Sequence, residues 1–236
     1  MNYSTTRSSE SLSRETARFM SGVYRWMTMG ILLTAIISYY IGNSRELVET
    51  ILMNKILFYG LMIGEIGLVI FISARIQKLK AMTATLLYLL YSALNGVTLA
   101  VIFLIYTQES IFSVFLTTAI AFGGLSAFGY LTKKDLGPIG TFCTMGLWGL
   151  VGFGLLSFIF PSLMGARTSW VYNIVGLIVF SGLTAYDTQK IKSMGRDLRE
   201  GSEEGQKMTI IGALKLYLDF INLFLFLLRL MGGKRR

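Results

Sequence analysis

The sequence predicts an all-α polytopic membrane protein with seven transmembrane helices, the last of them inside the bundle. Three observations carry this. Of 236 residues, 53% are apolar and only 15% charged, where soluble domains average about a quarter charged. Mean hydropathy is +0.60. The apolar residues come in continuous runs without period-two alternation, which selects helices over barrel strands.

The spans follow in order over 26–44, 52–74, 81–108, 110–132, 136–166, 168–186 and 208–231. Each approaches or exceeds the roughly 20 residues that cross a hydrocarbon core. Glu65 interrupts the second, and the fifth ends near Pro161. The last carries Lys215 and Asp219, is the least lipid-like, and is expected inside the bundle. Small residues four apart, Gly60 with Gly64 and Ala119, Gly123 and Ala127, suit close helix contacts or are merely common in such helices.

Three regions result. Residues 1–20 form a polar tail, expected to be disordered or surface-lying, with no signal-peptide pattern. Residues 21–232 are the transmembrane domain, and 233–236 are a basic tail. The net charge is +9. Its placement in tails and between apolar blocks reads as a topology signal at a lipid bilayer, not as nucleic-acid binding. Arg7, Arg14, Arg18, Arg25, the Arg75–Lys80 turn, Lys133, Lys134 and five basic residues between Lys190 and Lys207 share one side; Arg45, Lys55 and Arg167 occupy the other. The bias puts the N-terminus in the cytoplasm. Seven crossings then put Lys234, Arg235 and Arg236 outside, whereas a re-entrant last segment returns them.

The single cysteine, Cys143, excludes an internal disulfide, and the lack of histidine removes the usual zinc and haem ligand sets. Ser–His and Cys–His nucleophile pairs are absent too. Neither an enzyme nor a cofactor is expected.

Ionisable groups inside a bilayer are expensive and need a partner or a purpose. They are Glu65, Asp187, Lys215, Asp219 and Arg229, with Arg75 at a span end. If spans six and seven pack together, Asp187 and Asp219 can face one polar pocket. Two close carboxylates cannot both ionise cheaply, so they share a proton. Deprotonated, they offer hard oxygens to Ca²⁺. The bland alternatives are an interfacial Asp187 pairing with Lys190, and an Asp219 neutralised by Lys215 one turn earlier. Arg75 is either a partner of the dyad or an ordinary positive-inside residue. Glu65 and Arg229 form a second candidate pair, a structural clamp. Asn95 and Asn222 are expected to bond between helices.

Several of these residues lie in recognisable strings. Leu216-Tyr217-Leu218-Asp219-Phe220-Ile221-Asn222-Leu223-Phe224, with Leu227-Leu228-Arg229, resembles the C-terminal signature of Bax inhibitor motif proteins. Tyr186-Asp187-Thr188-Gln189 resembles their second signature, and Asn95-Gly96-Val97-Thr98-Leu99 is a weaker match. The resemblance covers residues 20–232 and points to a bacterial member, in the inner membrane. It implies a last helix wrapped by the other six and a pH-sensitive calcium leak. It assigns the carboxylate dyad to Asp187 and Asp219. It assigns the dyad's arginine to Arg75, with Lys78 as rival. Glu65 and Arg229 match positions where bacterial relatives also carry an acid and an arginine. The expected partners are calcium ions and protons. The competing functions are a Ca²⁺/H⁺ exchanger using the same carboxylates, and a regulator that binds a membrane protease or other membrane protein through residues 1–20.

Overall fold

In the computed structural model, which describes residues 9–196, 198 and 202–235, the chain is helical almost throughout. The helices are α1 Ser9–Gly42, α2 Arg45–Met53, α3 Lys55–Arg75, α4 Ala81–Leu99, α5 Ile102–Ile105, α6 Gln108–Leu131, α7 Gly137–Ile159, α8 Ala166–Met194 and α9 Glu203–Met231. Short 3₁₀ turns follow α3 and α7. The described residues form no strand, only an isolated bridge between Tyr106 and Lys234. Seven helices are long and apolar enough to cross a membrane.

The last helix is central. Of its most apolar stretch, 72% of residues are buried, against 11% for α3 and 17% for α7. Leu214, Leu216, Tyr217, Leu223 and Leu228 are almost wholly enclosed. α1, α4, α6 and α8 pack directly on α9. α3 packs on the outside of α4, and α7 on the outside of α8. The wrapping by six helices is therefore two-layered. The outer pair turns large apolar side chains such as Ile63 and Trp148 outward, as lipid-facing helices do.

Several boundaries differ from expectation for local reasons. α1 begins at Ser9, and Thr16 and Met20 are buried, so much of the polar segment joins the first helix. Residues 1–8, Arg199 and Arg236 lie outside the described residues. α2 occupies a stretch with no expected span. The Ser44 hydroxyl accepts from the Leu47 amide and starts it, and the Asn54 side chain accepts from the Leu57 amide and starts α3. The run 81–108 divides into α4 and α5, after which Thr107 caps α6. α8 continues two turns beyond residue 186. There the Lys192 Nζ donates to the Tyr130 carbonyl at 2.6 Å. Gln189 bonds the Leu136 amide and the Lys134 carbonyl, pinning the α6–α7 connection.

The small-residue stripes do not form contacts. A Cβ added at Gly60, Gly64 or Gly123 would meet nothing within 4 Å. Close approach occurs instead at Gly129, against the backbone of Ala185, and at Gly176, against the ring of Phe226.

The C-terminal tail lies at the end of the bundle opposite the start of α1. The Thr107 amide donates to the Gly233 carbonyl, and the Arg235 amide to the Ile105 carbonyl. The last helix thus crosses the whole bundle and does not turn back.

Candidate functional site

α8 and α9 pack along much of their length, so the two sequence signatures meet. Asp187 and Asp219 are 8% and 4% exposed. Asp219 lies in the middle of the most enclosed helix because Tyr217, Phe220 and Leu223 around it fill the bundle interior. Its Oδ2 is buried without a hydrogen-bond partner. An orphaned carboxylate oxygen in such a place is costly and asks for a proton, a cation or water.

The charges acting on Asp219 are Asp187 and Lys215. Lys215 and Asp219 share a face of α9, one turn apart, yet the lysine reaches across to α8. Its Nζ stands 3.1 Å from the Asp187 Oδ1. The side chains are 42% exposed for Lys215 and 12% for Asp187. The ammonium is therefore the most exposed group of the three, Asp187 is mostly buried and Asp219 is the most enclosed. Lys190 does not pair with Asp187; its Nζ lies over the Tyr186 ring.

Two expected partners are elsewhere. Arg75 is exposed at the end of α3 and bonds neither aspartate, and Lys78 is likewise exposed. The reason is the register: α3 packs on α4, and the 3₁₀ turn after Arg75 meets the start of α9, where the Lys207 Nζ donates to the Gln77 carbonyl, about three turns before Asp219. The basic partner of the dyad is Lys215. The ion pair of Glu65 with Arg229 is also absent. Glu65, 8% exposed, accepts from Asn95 Nδ2 at 3.1 Å and from Thr98 Oγ1 at 2.9 Å. Arg229 is exposed on the last turn of α9, over the ring of Phe226.

Around Glu65 lies a polar chain that sequence reasoning missed. The Tyr217 hydroxyl donates to Asn95 Oδ1 at 3.0 Å and also bonds the Thr34 hydroxyl. The single Thr34 hydroxyl proton is shared between Tyr217 and the Ser92 carbonyl, 2.7 Å away. Four helices, α1, α3, α4 and α9, are tied by it. A signal existed: Ser92, Asn95 and Thr98 recur every three residues, a polar stripe on one face of α4. Asn95 bonds between helices, whereas Asn222 bonds the Leu218 carbonyl of its own helix. A second chain joins Tyr24, Ser126 and Thr188 beside Asp187.

No cluster of three acidic, cysteine or histidine side chains occurs among the described residues. Two carboxylates supply fewer oxygens than the six to eight Ca²⁺ takes. That set suits passage of a partly hydrated ion better than tight storage.

Comparisons with known proteins agree with this architecture. The family described as inhibitor of apoptosis-promoting Bax1 matches residues 16–236. The chain is 48% identical over 219 residues to the inner membrane protein YbhL of Escherichia coli, covering 92% of each. It is 41% identical over 218 residues to a protein of Borreliella burgdorferi, covering 92% of this chain and 93% of the relative. A Rickettsia prowazekii protein, RP147, is 35% identical over 231 residues, covering 98% and 96%. Seven apolar helices and the likeness to YbhL support a multi-pass inner-membrane placement. The chain belongs to the Bax inhibitor family of membrane proteins.

Proposed function

We propose that the protein is a pH-sensitive calcium leak channel, with its N-terminus in the cytoplasm and Asp187 and Asp219 as its gate. The observation that carries this reading is the buried, unpartnered oxygen of Asp219 beside an Asp187 already held by Lys215. A protonated Asp219 lets this arrangement persist: one negative charge, one positive charge and a neutral acid. Raising the pH removes the proton. Two carboxylates then face one ammonium, and they repel each other at short range in a medium of low dielectric constant. Asp187 and Asp219 separate, and their oxygens receive a cation. Acidification reverses this, because protons compete for the same oxygens. The leak is therefore expected to rise with pH.

Lys215 acts as the lock. It neutralises Asp187 in the closed state and repels a cation at the rim. Arg75 has no part in it.

The test is Ca²⁺ flux into liposomes from pH 6 to 8. Asp187→Asn and Asp219→Asn are expected to flatten the pH response and weaken Ca²⁺ binding. Lys215→Gln is expected to raise the leak at acid pH, and Arg75→Ala to leave the profile unchanged. If both Asp→Asn variants keep the wild-type pH profile, the dyad is structural and the reading is wrong.

A further inference from the structure

α1 and α6 both border α9 without packing closely on one another. Between them, toward the end that carries the C-terminus, lies a cavity of about 560 Å³. That size falls within the range of small-molecule sites. Leu32, Ala35, Phe103, Phe112 and Phe115 are among its walls, and Phe224 of the central helix is on its floor. Leu32 and Phe112 are themselves more than half exposed, so the cavity opens sideways to where lipid lies. Water gains little in such a space, and an acyl chain fills it at no cost in hydrogen bonds.

The mouth is charged. The segment after α9 is fixed against residues 103–110 by four hydrogen bonds. Two are the backbone bonds of Gly233 and Arg235 already described. The Gly233 amide also donates to Ser110 Oγ, and the Arg235 Nη1 to the carbonyl of Phe103 at 2.9 Å. Phe103 is a wall of the cavity, so the guanidinium is tethered at its edge. Arg235 and Lys234 are exposed and have no carboxylate partner among the described residues. One guanidinium donor is used on Phe103, which leaves others for a phosphate, the geometry arginine matches best. Glu109 is the charged side chain of the lining itself, whereas Arg235 and Lys234 stand outside it beside Phe103, and it partly offsets the two cations.

We propose that this cavity binds an anionic phospholipid from the leaflet facing the C-terminal tail, one acyl chain between α1 and α6 and the phosphate on Arg235 and Lys234. The tail is then a headgroup clamp held in register by the α5–α6 connection.

The test uses the full chain purified in detergent, with phosphatidylglycerol, phosphatidylcholine or inorganic phosphate added. Affinity is read from the shift in thermal unfolding and from lipid retained per chain. Phosphatidylglycerol is expected to bind roughly tenfold tighter than phosphatidylcholine, which offers the same phosphate but whose choline cation is repelled by Arg235 and Lys234, and inorganic phosphate to give no shift. Arg235→Gln and, with the tether intact, Lys234→Gln are expected to reduce that preference, and Glu109→Gln to increase it. Ala35 is exposed to the cavity, so Ala35→Trp fills the space without touching the core and is expected to weaken both lipids. Equal binding of the two lipids by the wild type overturns the proposal. So does full phosphatidylglycerol binding by Ala35→Trp, or a shift with inorganic phosphate alone.

Discussion

Glu65 shows how a buried acid in a membrane can be satisfied without a counter-charge. Asn95 and Thr98 each donate to it, and Tyr217 and Thr34 continue the chain across the bundle. Glu65→Leu leaves the Asn95 amide without its acceptor, while Thr98 keeps the Asn95 carbonyl, and is expected to cost about 1–3 kcal/mol. Arg229 is exposed over Phe226, so the double variant Glu65→Leu/Arg229→Ala is expected to be additive within about 0.5 kcal/mol. Unfolding in mixed micelles measures both, and a larger coupling would restore the ion pair. Tyr217→Phe removes one hydroxyl that serves two partners. Interhelical hydrogen bonds in membranes are worth about 0.6 kcal/mol on average and up to about 1.7, and this variant is expected in the upper part of that range.

Among the elements, α6 and α8 illustrate which glycines matter. Gly129 of α6 faces the backbone of Ala185, which cannot rotate away as a side chain can. Gly129→Val is expected to push the two helices apart at a cost of about 1–3 kcal/mol. The same shift would move Asp187, two residues along α8, so the pH dependence of any ion flux should change as well. Gly64 and Gly123 face open space. Their alanine variants are expected to stay within about 0.5 kcal/mol of the wild type. Comparable destabilisation by Gly123→Ala and Gly129→Val in the same micelle assay would contradict this assignment of contacts.

For the whole molecule, the arrangement of ends is the testable feature. The chain crosses seven times, and the tail after α9 pairs with residues 105–110. The two termini therefore lie at opposite ends of the bundle. Topology reporters fused before Met1 and after Arg236 are expected to map to opposite sides of the membrane. A single shared side would require a re-entrant last helix and would refute the seven-span arrangement. In the orientation proposed above, with the N-terminus in the cytoplasm, the tail is translocated in spite of its basic residues. Its backbone bonds to the α5–α6 connection and the bond of Arg235 to Phe103 hold it there once it has crossed.

Sequence alone left to the structure whether the last segment crosses or turns back, and determined the helical class, the seven apolar segments and the identity of the buried acids. These are properties of single segments: hydrophobic length, continuity of apolar runs, and the rarity of charge within them. It also picked out Asp187 and Asp219, because an acid in an apolar span stands out against its neighbours. Only the tertiary structure decided who meets whom. Lys215, one turn from Asp219, looked like its local partner, yet packing of α8 on α9 gives it to Asp187. Arg75 and the Glu65–Arg229 pair looked plausible when six helices were imagined as equal neighbours of the seventh. The structure places α3 in the outer layer and its end beside the start of α9, so Arg75 is exposed and bonds neither aspartate, and Glu65 turns to α4. α2 was invisible because its nine residues are too few and too polar for a span. Its existence rests on two caps, Ser44 and Asn54, whose meaning depends on where the flanking helices end. Which face of a helix is buried depends on neighbours far away in the chain; α4 records it in its stripe of Ser92, Asn95 and Thr98, whereas the runs of α6 and α7 are apolar all round.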